Sequence, residues 1–196
     1  MIHTILTHLQ VICYSMPMRV RTHTNPLTFR ERLTDYTIKK HLKHAGAPLD
    51  LEIGFGRGVF LEHWACKHPE RNIIGVEVRQ SIVKDVQDRY ANKNIDNIHL
   101  IHSTGEIVLE DCIEDNSLDH IFLFHPDPWF KKKHHKRRVI KNSIITLFES
   151  KLKPNGKLCV STDVPELFDE MCEILDQSTK LSKITSDPFW EENYTT

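Results

Sequence analysis

From about residue 49 onward, short apolar runs alternate with segments of helical period, the pattern of a parallel-sheet α/β fold. The runs predict strands at Leu49–Ile53, Asn72–Glu77, Ile98–Ile101, Leu118–Phe124 and Lys157–Thr162. Helices are predicted between them. Phe60, Leu61, Trp64 and Ala65 share one face; Ile82, Val83, Val86 and Tyr90 share another; Ile144, Ile145, Leu147 and Phe148 a third. Val164, Leu167, Phe168, Met171, Ile174 and Leu175 form the cleanest helical series in the chain. Lys153-Pro154-Asn155-Gly156 carries turn chemistry between a helix and a strand. The pattern implies a doubly wound, mostly parallel sheet with helices on both faces. Its C-terminal edge is expected to be incomplete, because no antiparallel closing strand is legible. Ahead of Leu49, Arg30–His44 reads as one helix or two short ones.

With 196 residues and neither repeat nor linker, one core is expected, placing a single domain at 30–196 behind an N-terminal basic arm at 1–29. Met1–Tyr14 is moderately apolar, but lacks a basic leading segment and a small-residue cleavage site. Its apolar run is too interrupted to span a bilayer. The arm is expected to be a loosely docked tail, with Met16 and Met18 as alternative starts, and no membrane association is expected.

Charge sharpens the picture. The chain has 26 Lys and Arg against 27 Asp and Glu, yet seven of the cations lie between Lys131 and Lys141, where no acid occurs. A near-neutral total therefore hides an acidic body bearing one basic patch, which Arg19, Arg21 and Arg30 extend. Such a patch points to a polyanion. Five cysteines with no Cys-x-x-Cys spacing read as isolated thiols of a reduced, cytoplasmic protein. Thirteen histidines offer no ligand spacing with a carboxylate beside it, so no metal site is expected.

Asp50-Leu51-Glu52-Ile53-Gly54-Phe55-Gly56-Arg57-Gly58 runs from a strand into a helix, with glycines where a backbone must turn tightly and approach a ligand. Glu77 ends the next strand, where a carboxylate can accept from a ribose diol. A dinucleotide loop would want one more residue before its last glycine, and a phosphate loop would want Gly-Lys-Ser/Thr. Glu52 would repel a pyrophosphate but suits the sulfonium and ammonium of S-adenosylmethionine. A plain strand-to-helix turn is the fourth possibility.

Taken with these, Pro126-Asp127-Pro128-Trp129-x-Lys131-Lys132-x-His134-x-Lys136-Arg137-Arg138 is similar to the signature of the tRNA (guanine-N7)-methyltransferases. Glu52-Ile53-Gly54-Phe55-Gly56-x-Gly58 and Gly75-Val76-Glu77-Val78 resemble that family's cofactor loop and ribose-binding strand end. Leu152-Lys153-Pro154-x-Gly156 and Ser161-Thr162-Asp163 follow in the family's order. The resemblance covers roughly residues 45–196 and implies a class I, Rossmann-like methyltransferase fold. It further implies S-adenosylmethionine as cofactor, tRNA as partner, and transfer of a methyl group to N7 of a guanosine in the variable loop. It assigns cofactor binding to Glu52, Gly54, Gly56, Gly58, Glu77, Thr104 and Asp127, with Asp127 also the catalytic-site carboxylate. Lys131, Lys132, His134, Lys136, Arg137, Arg138, Asp163 and Thr196 would meet the tRNA. Thr104 stands where the family usually carries an acid. Only Thr196 can belong to the family's C-terminal substrate motif, which implies a fragment lacking part of the substrate wall and the last strand.

Chemically, N7 of guanine has its lone pair free at neutral pH, so alignment and stabilisation of the cationic product matter more than a base. Pro126 and Pro128 would restrict the backbone around Asp127. Trp129 either stacks on a base or packs beneath its loop. Asp163 either meets substrate or caps the helix beginning near Pro165. No obligate protein partner is evident. The alternatives are a methyltransferase for another substrate and a non-catalytic RNA-binding module on the same fold.

Overall fold

The structure is a computed structural model and describes residues 7–13 and 24–184. Its strands are β1 (Thr7–Cys13), β2 (Leu49–Ile53), β3 (Asn72–Glu77), β4 (Ile98–His102), β5 (Leu118–Phe124), β6 (Leu152–Thr162) and β7 (Leu181–Ile184). Its α-helices are α1 (Val59–Lys67), α2 (Gln80–Asn92), α3 (Gly105–Asp111), α4 (Asn142–Lys151) and α5 (Pro165–Leu175). The strands lie in the order β4-β3-β2-β5-β6-β1-β7. All described pairings are parallel.

Alternation along the strands explains why helices cover both faces. Leu49, Leu51 and Ile53 of β2 join Ile121, Leu123, Leu158 and Val160 in one core, which α3, α4 and α5 complete with Leu109, Phe148 and Met171. Phe122, Phe124 and Cys159 point the other way and meet Phe60, Leu61 and Trp64 of α1 and Val83, Val86 and Tyr90 of α2. Strands buried on both sides read as nearly unbroken apolar runs, so all five expected strands are found. The apolar faces read for four helices are those that α1, α2, α4 and α5 bury.

Strand β7 follows no pattern read in the sequence, and four further elements differ from expectation. Arg30–His44 holds no α-helix: within it only the 3-10 turn Ile38–His41 forms, and a second 3-10 turn, Pro26–Thr28, precedes it. Leu33, Tyr36 and Leu42 pack on the core singly. Arg32 pairs with Glu110 at 2.8 Å and with Asp111, which ties the segment to α3 as an irregular strap. Helix α3 itself was not legible, since seven residues are two turns. Strand β6 starts early: Leu152 pairs with Leu118, residues 153–156 bulge out with Asn155 at φ 64°, and the ladder resumes at Lys157 opposite His120. Finally, the basic arm enters the sheet as β1 between β6 and β7 at Thr7–Cys13; residues 1–6 and 14–23, including Arg19 and Arg21, lie outside those described.

One buried network fixes the end of the sheet remote from the glycines. Asp50, fully buried, accepts from Trp64 Nε1 at 2.8 Å and from Arg71 Nε and Nη2 at 2.7 and 2.5 Å, and faces His120 Nδ1 at 2.8 Å. Burial alone would raise its pKa, but the hydrogen bonds and charges of Arg71 and His120 overrule that and hold it below the usual carboxylate range. Asp50→Asn leaves Arg71 without its counter-charge and is expected to cost about 3–5 kcal/mol in urea unfolding. A depressed carboxylate contributes stability above its unfolded pKa of about 3.9 that is lost as pH falls through the folded value. Melting curves taken from pH 6 downward are therefore expected to show a shallower acid loss in D50N than in the wild type.

Candidate active site

Strand order reverses between β2 and β5: the chain continues outward through β3 and β4 on one side and through β6 on the other. The strand ends diverge there, and a crevice at such a switch point is where open α/β sheets hold ligands. A cavity of about 710 Å³ occupies that place, and Glu52, Gly54, Glu77, Ser103, Asp127 and Trp129 are among its walls. The glycine loop, the ribose-type carboxylate and the aspartate between two prolines, far apart in sequence, thus line one space.

The glycine loop is shaped by backbone need. Gly54 has φ 79° and nothing within 4 Å of where a Cβ would stand, so its open side faces the cavity. Gly58 has φ 69° and packs so tightly on α2 that a Cβ would lie 2.9 Å from Val86 Cγ1. Tyr90 donates to the Gly58 carbonyl from the same side. One glycine admits a ligand; the other lets α1 dock.

Glu52 sits at the base of this loop, 4% exposed, and its Oε2 has no hydrogen-bond partner. Burial, with the nearby Glu77 charge as a second cause, pushes its pKa up to about 8. A carboxyl left in this state is a site for a cation. Glu77 is engaged on all sides: it accepts from Gly56 N at 3.1 Å and from Arg79 through N, Nε and Nη2 at 3.1, 2.9 and 3.0 Å. Four bonds fill the lone pairs of a carboxylate. A diol reaching Glu77 therefore exchanges with the Arg79 guanidinium.

At the far wall two adjacent hydroxyls are engaged differently. Thr104 also lines the cavity, but its Oγ1 accepts from Ile107 N at 3.3 Å and caps α3. Its neighbour Ser103, fully buried, has an Oγ with no hydrogen-bond partner on the same wall. Of the two hydroxyls, that of Ser103 is the one left without a partner. Sequence alone gave no means of choosing between adjacent hydroxyls, because the choice rests on which one the helix cap consumes.

Beyond β5, the His125 N–H donates to Ser161 O at 2.8 Å, and His125 then takes φ 47° as the chain turns into Pro126-Asp127-Pro128. Asp127 is half-buried on the cavity wall, close enough to Arg79 that its charge helps raise that guanidinium's pKa, after the larger effect of bonding to Glu77. Trp129 packs rather than projects: it is 8% exposed, with the Arg137 guanidinium 4.8 Å above its ring and His134 edge-on at 5.8 Å. Asp163 does not cap α5, whose N-cap is Val164 with no side-chain bond; it faces His125 Nδ1 at 3.5 Å.

The basic run, expected to meet polyanion throughout, divides in two. Arg138 donates from Nε to Pro128 O at 2.8 Å and pairs with Glu170, and Lys141 pairs with Glu106 at 2.7 Å. Those two brace the loop instead of standing clear of it. Lys131, Lys132, Lys133 and Lys136 are exposed. Among their neighbours, His134 is held below its usual pKa by loss of solvent and then by Arg137, Lys133, Lys131 and Lys136, which favours its neutral form. Thr196 lies outside the described residues. Among the described residues no group of His, Cys, Asp or Glu is placed to hold a metal ion, and no helix is long and apolar enough to cross a membrane.

Comparison with known proteins agrees with this geometry. A family model described as "Putative methyltransferase" matches residues 46–196. A tRNA (guanine-N(7)-)-methyltransferase of Idiomarina loihiensis is 36% identical over 140 residues, 71% of this chain and 57% of that protein. Enzymes of the same name from Pseudomonas fluorescens and Histophilus somni are each 38% identical, over 72% and 68% of this chain and 58% and 53% of theirs. The chain thus spans little more than half the length of these relatives. Among solved structures, a precorrin-6y C5,15-methyltransferase of Geobacter metallireducens superposes with a TM-score of 0.53 at 15% identity, over 66% of this chain and 62% of that one, a likeness of fold alone. With a Rossmann-like sheet, its crevice at the strand-order switch and a family match over most of its length, the chain belongs to this methyltransferase family.

Proposed function

We propose that this chain transfers a methyl group from S-adenosylmethionine to N7 of a guanosine in tRNA, the variable loop being the favoured position. The single observation that carries the reading is the shared cavity: Glu52, the glycine loop, Glu77 and Asp127 line it, and exposed lysines begin two residues past its wall residue Trp129. The relatives' names support the reaction and the substrate. Acting on tRNA, the chain would work in the cytoplasm.

The residues fit the cofactor on their own chemistry. When bound, S-adenosylmethionine supplies an electrophilic methyl group carried on a sulfonium. Glu52 offers the partnerless Oε2 to the cationic amino-acid end, Gly54 leaves backbone room beside it, and Glu77 accepts from the ribose hydroxyls once Arg79 yields. Ser103 offers its unused hydroxyl to the base. Asp127 accepts from the N1–H and exocyclic amine of guanine, a donor pair adenine lacks, and its negative charge favours the purinium product. No general base is required, because N7 holds no proton to remove. Lys131, Lys132, Lys133 and Lys136 hold phosphates, an affinity that falls steeply with salt.

Incubation with tRNA and labelled cofactor, followed by mass-spectrometric mapping, is expected to yield 7-methylguanosine. Methylation of another nucleoside, or of none, would overturn the reading. Asp127→Ala is expected to lower kcat/KM by roughly 10²–10³-fold, the size of lost electrostatic stabilisation, while calorimetry finds cofactor affinity within a few-fold of wild type.

Glu52 gives a second signature. With a pKa of about 8 the carboxyl is mostly protonated at pH 7 in the free protein. A cation beside it favours the ionised form, so binding is expected to release a proton at pH 7. Calorimetry in buffers of different ionisation enthalpy reads that release directly. Glu52→Gln is expected to abolish it and to weaken cofactor binding about 10–100-fold, the worth of a charge-assisted hydrogen bond.

A further inference from the structure

We propose that Phe130 is a stacking platform for an unpaired nucleobase of the RNA substrate, so that the lysine shelf reads base faces as well as phosphates. The inference rests on the proposed tRNA reading and adds to it a residue that neither the motif nor the cavity assigned.

Phe130 is 61% exposed, the most exposed large apolar side chain among the described residues. A single exposed aromatic is ordinary on any surface. This one is set apart by the backbone that presents it and by its neighbours. Trp129, immediately before it, has φ 43°, a left-handed conformation that a bulky side chain avoids at a cost of order 1–3 kcal/mol. The fold holds that conformation from two sides. Arg138 Nε clasps Pro128 O at 2.8 Å, and the Arg137 guanidinium lies 4.8 Å over the Trp129 ring. Two cations of the basic run thus hold Trp129 buried, at 8% exposure, while Phe130 beside it stays bare.

The surroundings select the occupant. Lys131, Lys132, Lys133 and Lys136 follow, all exposed, and no acid occurs between Asp127 and Glu149. A flat apolar ring amid cations suits a ligand with a π-face and a negative backbone, namely a single-stranded stretch of RNA with a splayed base. An apolar protein partner would gain little from four lysines beside its contact. A guanosine presented to Asp127, three residues away, leaves its neighbour in the strand unstacked, and the platform replaces the lost stacking.

Fluorescence anisotropy with the full chain and an in vitro transcribed tRNA, titrated at several salt concentrations, tests this. Phe130→Ala is expected to weaken binding between about 5-fold and 100-fold, the loss of one base stack. The slope of log affinity against log salt is expected to stay at the wild-type value, because no phosphate contact is lost. Lys131→Ala with Lys132→Ala is expected to lower that slope, and Phe130→Trp to restore affinity. Phe130→Leu keeps apolar bulk without an aromatic face; full affinity in F130L, or less than a 2-fold effect in F130A, overturns the proposal while leaving the methyltransferase reading intact. A wild-type chain that fails to bind the tRNA at low salt overturns both. The melting temperature of F130A is expected to match wild type, since the side chain packs on little.

Discussion

A carboxyl oxygen with nothing to bond, sunk where β2 ends, sets the terms for the rest of the site. Protein interiors seldom leave such an atom unsatisfied, because stripping it of water costs free energy that only a partner restores. Glu52 is kept there by the sheet: Leu51 and Ile53 on either side point into the opposite core, so alternation fixes its direction. A change of register would turn Glu52 into the Leu51 core, and the parallel ladders to β3 and β5 on both sides prevent it. Fold and chemistry meet at this residue.

The basic run shows how one stretch of like charge serves two purposes. Repulsion among cations works against a compact loop, and the acids that relieve it come from helices: Glu170 of α5 for Arg138 and Glu106 of α3 for Lys141. Relief is partial and directed. The cations nearest the body of the fold are neutralised and fix the Pro126-Asp127-Pro128 loop, and those at its outer turn stay in solvent. A run counted as one patch in the sequence is therefore a brace joined to a shelf.

Much of the sheet was legible because buried parallel strands announce themselves as apolar runs, and the crevice lies where strand order reverses between β2 and β5. What escaped was settled by contacts no pattern encodes. Helix α3 is too short to show a period, and the strap over 30–44 owes its shape to Arg32 reaching Asp111, 79 residues on. Strand β1 offered no cue of its place, since pairing with β6 and β7 joins segments from opposite ends of the chain. Glu52, Gly54, Gly56, Glu77 and Asp127, singled out by their spacing, do line one cavity. Thr104 against Ser103 was not legible, because hydrogen-bond consumption by a helix cap decides it. Trp129 was undecidable for a similar reason: its burial depends on Arg137 coming back over the ring.

Three carboxylates, Glu52, Glu77 and Asp127, share one cavity, and their mutual repulsion in a low-dielectric space would oppose folding if all were bare. The free protein resolves this without a permanent counter-ion. Glu52 keeps a proton, and Glu77 keeps the Arg79 guanidinium, whose charge Asp127 also feels. Both devices are removable: a proton leaves for water, and a partly exposed arginine can swing aside. A ligand bringing its own positive charge and hydroxyls to the cavity takes over both roles at once, replacing the proton at Glu52 and the guanidinium at Glu77. Electrostatic balance in the cavity thus depends on its occupant.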